Sequence, residues 1–148
     1  MGKVIEIGIA KGKGDQIESI DEADVIQGKG IANDRHLREN NEKGCQITLI
    51  EIENIKHYNR IHKTNIPAIK FRRNIITENI KLNDLVGYEL LIGSVKVKAH
   101  DLCRPCRYLQ ESLKQKNLVK EFLYKGGIRC KILTSGKISV NDIIKKIE

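Results

Sequence analysis

A chain of 148 residues, 40% of them apolar and 31% charged, has the make-up of one folded domain, which excludes two full-sized domains and extended disorder. No apolar run approaches the roughly 20 residues that a helix needs to cross a bilayer. Lys and Arg outnumber Asp and Glu by 27 to 19, a formal charge of +8, which favours an anionic partner without separating nucleic acid from a phosphorylated cofactor.

The opening Met1-Gly2-Lys3-Val4-Ile5-Glu6 places a carboxylate where a signal peptide needs an unbroken apolar stretch, so a cytoplasmic location and no membrane contact are expected. Ile5, Ile7 and Ile9 alternate and predict a first strand with those three on one face. Gly12-Lys13-Gly14 and Gly28-Lys29-Gly30 mark turns, and neither has the glycine spacing of a dinucleotide or P-loop fingerprint. Val25–Gln27 is a short strand candidate. Cys45, Ile47 and Leu49 define another face, with Gln46 and Thr48 opposite. Glu51–His62 carries Ile52, Ile55 and Tyr58 at near-helical spacing. Asn74–Thr77 and Tyr88–Ile92 are further short strands. Val95, Val97 and Ala99 alternate with Lys96 and Lys98. A helix is expected from about Cys106 through Leu109 and Leu113, interrupted at Asn117 and resuming at Leu118, Val119, Phe122 and Leu123. Gly126-Gly127 ends it, Ile128, Cys130 and Ile132 alternate with Arg129 and Lys131, and Lys137–Val140 is the last strand. Many short strands with two or three helices, not regularly alternating, predict a β-rich α+β fold: a single barrel-like domain over residues 1–148.

The four cysteines are Cys45, Cys103, Cys106 and Cys130. Cys45 and Cys130 fall in phase with apolar strand neighbours and read as small core residues. Cys103-Arg104-Pro105-Cys106 joins a strand to a helix. A zinc site would need a second ligand pair, and none is present. A redox motif would need a βαβ context, which is also missing. The remaining reading makes one thiol a nucleophile or soft-metal ligand. Arg104, Arg107 and a following helix end would favour its thiolate, which suits Cys106 better than Cys103.

Asp34-Arg35-His36 is a polar loop triplet of little weight alone. Arg72-Arg73-Asn74 entering an apolar strand carries more. Period-two alternation predicts the two guanidiniums on opposite faces, Arg72 sharing its face with Asn74. One of them, with Arg72 preferred, would bind a phosphate or carboxylate. The competing expectation is an internal ion pair to Glu78 or Asp84.

In order along the chain stand Gly30-Ile31-Ala32-Asn33-Asp34-Arg35-His36, Gln46-Ile47-Thr48-Leu49-Ile50-Glu51, Arg72-Arg73-Asn74-Ile75-Ile76-Thr77 and Leu82-Asn83-Asp84-Leu85-Val86-Gly87. Ile92-Gly93, Pro105-Cys106, Gly126-Gly127-Ile128 and Gly136-Lys137-Ile138 follow. This series resembles the MOSC domain, the C-terminal module of molybdenum cofactor sulfurases, and its stand-alone bacterial relatives. The resemblance runs from about Val4 to Ile144. It implies a barrel-like fold and handling of molybdenum cofactor (molybdopterin) or of the sulfur destined for it; pyridoxal phosphate binding is not implied. By the same resemblance Cys106 would carry a persulfide or bind molybdenum. Arg72, Arg73, Asn74 and Thr77 would lie near the cofactor, with Arg35 and His36 in the matching loop. Implied partners are a molybdoenzyme or cofactor-biosynthesis protein and a sulfur donor such as a cysteine desulfurase. Asn33 and Asn141 stand where relatives have Gly, at turns that Asn tolerates. The larger relatives' extra N-terminal β-domain and ferredoxin-like extension are missing, so self-contained reductase activity is not implied. Readings from other classes are a non-catalytic cofactor carrier, and a zinc- or nucleic-acid-binding adaptor.

Overall fold

The computed structural model describes every residue except 13, 40, 42–45, 105–106 and 148, with residues 107 and 108 described by their backbone alone. Cys45 and Cys106 therefore lie outside the described residues.

Seven strands close into a barrel: β1 (Gly2–Ile9), β5 (Ile47–Glu51), β6 (Ile75–Glu78), β7 (Glu89–Ile92), β8 (Val95–Leu102), β9 (Ile128–Ile132) and β11 (Ile143–Lys146). Around the ring the order is β1-β11-β7-β8-β9-β5-β6 and back to β1, with β2 (Glu18–Ile20) appended to β1. A small sheet of β10 (Gly136–Ser139), β3 (Glu22–Ile26) and β4 (Gly30–Ile31) stands beside it. Among the described residues only β5 and β6 pair in parallel. A parallel pair needs a crossover, and α1 (Ile52–His62) with the 3-10 turn Ala68–Phe71 supplies it. The remaining helices, α2 (Arg107–Ser112) and α3 (Leu118–Glu121), precede β9. Among the described residues no helix is long and apolar enough to cross a membrane.

Two apolar layers hold this arrangement. Inside the barrel, Ile47, Leu49, Val95, Val97, Ala99, Ile128, Cys130 and Ile132 meet from β5, β8 and β9, as their alternation predicts. Each large aliphatic side chain so buried contributes about 1.5–3 kcal/mol. Outside, Ile50, Ile76, Phe71, Ile55, Tyr58, Leu118 and Phe122 pack the crossover and the helices onto the barrel wall. Both faces of β5 are therefore covered, and its outward polar residues must be satisfied. Thr48 is satisfied through Asn74, and buried Gln46, just before the strand, accepts from the Ile132 amide at 2.7 Å and donates to the Asn41 carbonyl at 2.9 Å.

The expected common face of Ile5, Ile7 and Ile9 is corrected by a bulge in β1 between Val4 and Glu6. One extra residue inverts the alternation. Val4, Ile7 and Ile9 enter the barrel, while Ile5 packs against the outer layer. Asn33 and Asn141 do hold positive φ, at 68° and 80°, so the turns survive the absence of glycine.

Candidate functional site

At one side of the barrel the loop after β4, the entry to β6, the end of β8 and the start of β9 converge around a cavity of about 290 Å³. Arg35 and His36 line it from the first of these, and Arg72 and Arg73 from the second. Asp101, Leu102, Cys103 and Arg104 come from β8 and the residues beyond it, Arg129 from β9, and Thr48 from β5. Five guanidiniums thus border one small volume, with Asp101 the lone carboxylate among its described lining residues. Cations gathered this closely repel one another unless an anion joins them, and Arg presents its donors as a fork that matches phosphate or carboxylate.

Hydrogen bonds and left-handed turns position Arg35, Arg72 and Arg73. Asn33 in the left-handed region turns the chain after β4. The Arg35 amide then donates to the Ala10 carbonyl at 2.7 Å. Asp34, 5% exposed, accepts from the amides of Ala10 at 3.0 Å and His36 at 3.3 Å. Its second oxygen also lies 3.4 Å from His36 Nδ1, an ion-pair separation rather than a well-aligned hydrogen bond. Burial pushes the Asp34 carboxyl up, but the hydrogen bonds from His36 and Ala10 outweigh it and hold the group below the usual carboxylate range. Asn41 closes the loop, its amide donating to the carbonyls of Lys29 and His36, each at 2.8 Å.

Arg72 terminates the 3-10 turn with φ at 65°, a conformation that disfavours side chains with a Cβ by about 1–2 kcal/mol. Its guanidinium donates to the Asp15 carbonyl at 2.8 Å. Arg73 Nε donates to the Gly126 carbonyl at 2.8 Å, and the Gly127 carbonyl accepts from the Cys103 amide at 2.8 Å. The Gly126-Gly127 pair thus ties Arg73 to the Cys103 loop. A Cβ on Gly126 would lie 2.7 Å from the Cys103 carbonyl oxygen, and one on Gly127, where φ is 97°, would strike the Leu49 carbonyl oxygen. Only glycine lets the three segments meet there.

Opposite, β8 changes register against β9 between Ala99 and Asp101. Ala99 stays in the barrel while Asp101 and Leu102 reach the cavity wall. The residue between them, His100, has a buried Nε2 without a hydrogen-bond partner. Burial, reinforced by the Arg129 and Lys131 cations, pushes its imidazole below the usual range. Among the described residues no group of three or more His, Cys, Asp or Glu is placed to hold a metal ion.

The sequence profile of the MOSC domain matches residues 33–145. The chain belongs to the MOSC domain family. That family is associated with molybdenum cofactor sulfurase-like function. Solved structures share the fold. YuaD from Bacillus subtilis is 20% identical with a TM-score of 0.78, covering 97% of this chain and 94% of its own. YiiM from Geobacillus stearothermophilus is 16% identical with a TM-score of 0.80, over 100% and 76%. YiiM from Escherichia coli is 15% identical with a TM-score of 0.74, over 100% and 70%. Compared by sequence with curated proteins, the chain finds no significant match.

Of the residues singled out in the sequence, this MOSC domain brings Arg35, His36, Arg72 and Arg73 together at the cavity. Cys106 lies outside the described residues, three positions after Cys103, which lines the cavity. The expected separation of Arg72 and Arg73 onto opposite faces does not occur. The strand begins only at Ile75, and the left-handed turn at Arg72 replaces alternation before it. Arg73 is bonded to the Gly126 carbonyl and not to Glu78 or Asp84. Asn74 and Thr77 are not among the described lining residues. Asn74 accepts from the Thr48 amide at 3.1 Å and its hydroxyl at 3.2 Å, and donates to the Gly8 carbonyl at 3.1 Å. Thr77 donates to the Ile50 carbonyl at 3.3 Å. Both are buried parts of the scaffold. The sequence reading placed Arg104 only beside Cys106, and it missed Arg129, Asp101 and Thr48 as residues of the cavity. Arg129 was visible only as the polar side of an alternating strand, which on most barrels simply faces solvent.

Proposed function

We propose that this MOSC protein binds molybdenum cofactor at the arginine cavity and handles sulfur for it through a persulfide carried on Cys106. One observation supports the reading above others: Arg35, Arg72, Arg73, Arg104 and Arg129 line a single cavity. The cofactor's organic part ends in a phosphate, and a planar fork of donors at fixed backbone positions is the chemistry that recognises one. Arg35, Arg73 and Arg129 would hold that phosphate, and Arg72 would close the side toward Asp15. When bound, the cofactor supplies a molybdenum centre able to take a terminal sulfur or oxygen ligand.

The chain's own contribution is charge and position. Asp34 fixes the Arg35–His36 loop from beneath, and the Gly126-Gly127 contact fixes Arg73 relative to Cys103. Arg104 and Arg107 flank Cys106 in sequence, and nearby cations favour thiolate over thiol. The Cys106 thiolate would attack the outer sulfur of a persulfide on a donor such as a cysteine desulfurase; the new S–S bond forms as the donor's S–S bond breaks and its thiolate leaves, with no net oxidation. The acceptor would be the bound cofactor itself or a molybdoenzyme that receives it.

Cyanide treatment of protein exposed to a cysteine desulfurase and cysteine tests the sulfur half. About one thiocyanate per chain is expected, lost in Cys106→Ser, with circular dichroism unchanged; thiol reactivity at Cys106 rests on thiolate stabilisation. If the cofactor binds while no cyanide-labile sulfur forms, the protein is a carrier rather than a sulfur-transfer protein.

A further inference from the structure

A second and larger cavity, about 470 Å³, adjoins the arginine cavity, and Arg72 lines both. It lies between the loop that links β1 to β2, the 3-10 turn before β6, and the end of α2. Its apolar walls are Ile17, Ile69 and Leu113, all half-buried. Lys70 and Ser112 stand at its exposed edge. Behind the apolar walls Ile17 and Ile69 pack over Gly8 of β1, which carries no side chain. A Cβ there would lie 2.7 Å from Ile17 Cγ2 and 3.1 Å from Ile69 Cγ1, so the two isoleucines converge over bare backbone. Gly14, Asp15 and Gln16 complete the lining, and the Asp15 carbonyl accepts from the Arg72 guanidinium.

This lining differs in kind from the arginine cavity. Three aliphatic side chains offer a surface for a flat apolar body, and the volume falls within the usual range for small-molecule pockets, about 300–1,000 Å³. Lys70 and Arg72 bring cations to the lining that select an acidic group. Asp15, whose carbonyl accepts from Arg72, and Gln16 also line it and can accept hydrogen bonds from a polar edge of the ligand. The strained backbone at Arg72 is what places one guanidinium in the wall between the two cavities, and strain of this kind concentrates where a ligand is clamped.

We propose that this cavity is a second ligand site, taking a small amphipathic organic anion with a flat apolar body and a single acidic group, bound beside the anion in the arginine cavity. It deepens the cofactor reading by placing an organic substrate next to the cofactor, and it rests on that reading for the occupant of the arginine side. Occupancy is simultaneous, with Arg72 as the shared wall.

Anilinonaphthalene sulfonate has the required shape and charge, and its fluorescence rises in apolar surroundings. Titrated into the full chain, it should bind at one site and remain bound in saturating inorganic phosphate. Lys70→Glu reverses a selecting charge, and Ser112→Phe fills the cavity from its exposed edge. Each should weaken the dye by about tenfold, the loss of roughly one charge-assisted or apolar contact. Lys56→Glu on the exposed side of α1, a matched charge reversal, should not change dye affinity. Arg129→Ala should abolish phosphate binding, followed by phosphorus NMR, while the dye still binds. Unchanged dye affinity in both Lys70→Glu and Ser112→Phe, or complete displacement of the dye by phosphate, overturns the proposal. Failure of phosphate to bind the parent chain at all would instead count against the arginine-cavity reading alone.

Discussion

Asn74 stands next to two arginines of the cavity, yet its side chain is spent on the scaffold, and this distinction is measurable. Its Oδ1 is the acceptor for the Thr48 amide on β5, and its Nδ2 reaches the Gly8 carbonyl on β1. The Asn74 amide in turn donates to the Thr48 hydroxyl at 2.9 Å. Asn74→Ala leaves the buried Thr48 amide without this acceptor, which costs about 1–3 kcal/mol. The lost Gly8 contact and the small void add to it, so a total of about 2–4 kcal/mol is expected. In a domain of this size that lowers Tm by about 5–15 °C. Thr48→Val removes the other half of the pair, so the two substitutions should be non-additive, with a coupling of about 0.5–3 kcal/mol. Chemical denaturation of the parent, both single variants and the double variant measures this directly. If Asn74→Ala melts with the parent while losing affinity for phosphate or cofactor, Asn74 is a ligand contact and the scaffold argument is wrong.

Arg73→Lys keeps the charge but loses the fork and the Nε bond to Gly126, so phosphate affinity should fall by about 1–3 kcal/mol; isothermal titration measures it, and parent-like affinity would remove Arg73 from the site. The Asp34 carboxyl is held below its unfolded value. Its stabilisation is therefore complete above about pH 4 and is lost as pH falls through the depressed value. Asp34→Asn should flatten that acid limb in a Tm-against-pH series, and an unchanged limb would contradict the assignment. His100, likewise held below its ordinary value, works in the same direction at higher pH. The folded chain resists its protonation, so stability is intact above about pH 6.5 and declines below it until the depressed value is reached, and His100→Gln should remove the slope that begins there.

The barrel was legible where alternation is uninterrupted. Val95, Val97 and Ala99, and Ile128, Cys130 and Ile132, fill the interior because a period of two is the geometry of a strand with one face on the core. It was not legible where backbone breaks that period. The bulge at Val4–Glu6 exchanges the faces of β1, and nothing in Val4-Ile5-Glu6-Ile7 announces it. β11 reads Ile143-Ile144-Lys145-Lys146, paired rather than alternating residues, so the strand that closes the ring left no pattern. At the site, the Arg72-Arg73 pair was conspicuous, but its geometry depends on a left-handed φ at a residue that is not glycine. Arg129 is a site residue because the β8 bulge and the Gly126-Gly127 turn bring other cations to it. That is a fact of tertiary structure, and the spacing of Arg129 among its neighbours does not contain it.

Anaerobic titration of the chain with released molybdopterin-type cofactor, beside the same titration of an Arg73→Ala/Arg129→Ala variant, tests the central claim most directly. The account predicts one cofactor per chain and loss of binding in the variant, which should keep its folded circular dichroism. Cofactor binding that survives in the variant, or no binding by the parent chain, would contradict it.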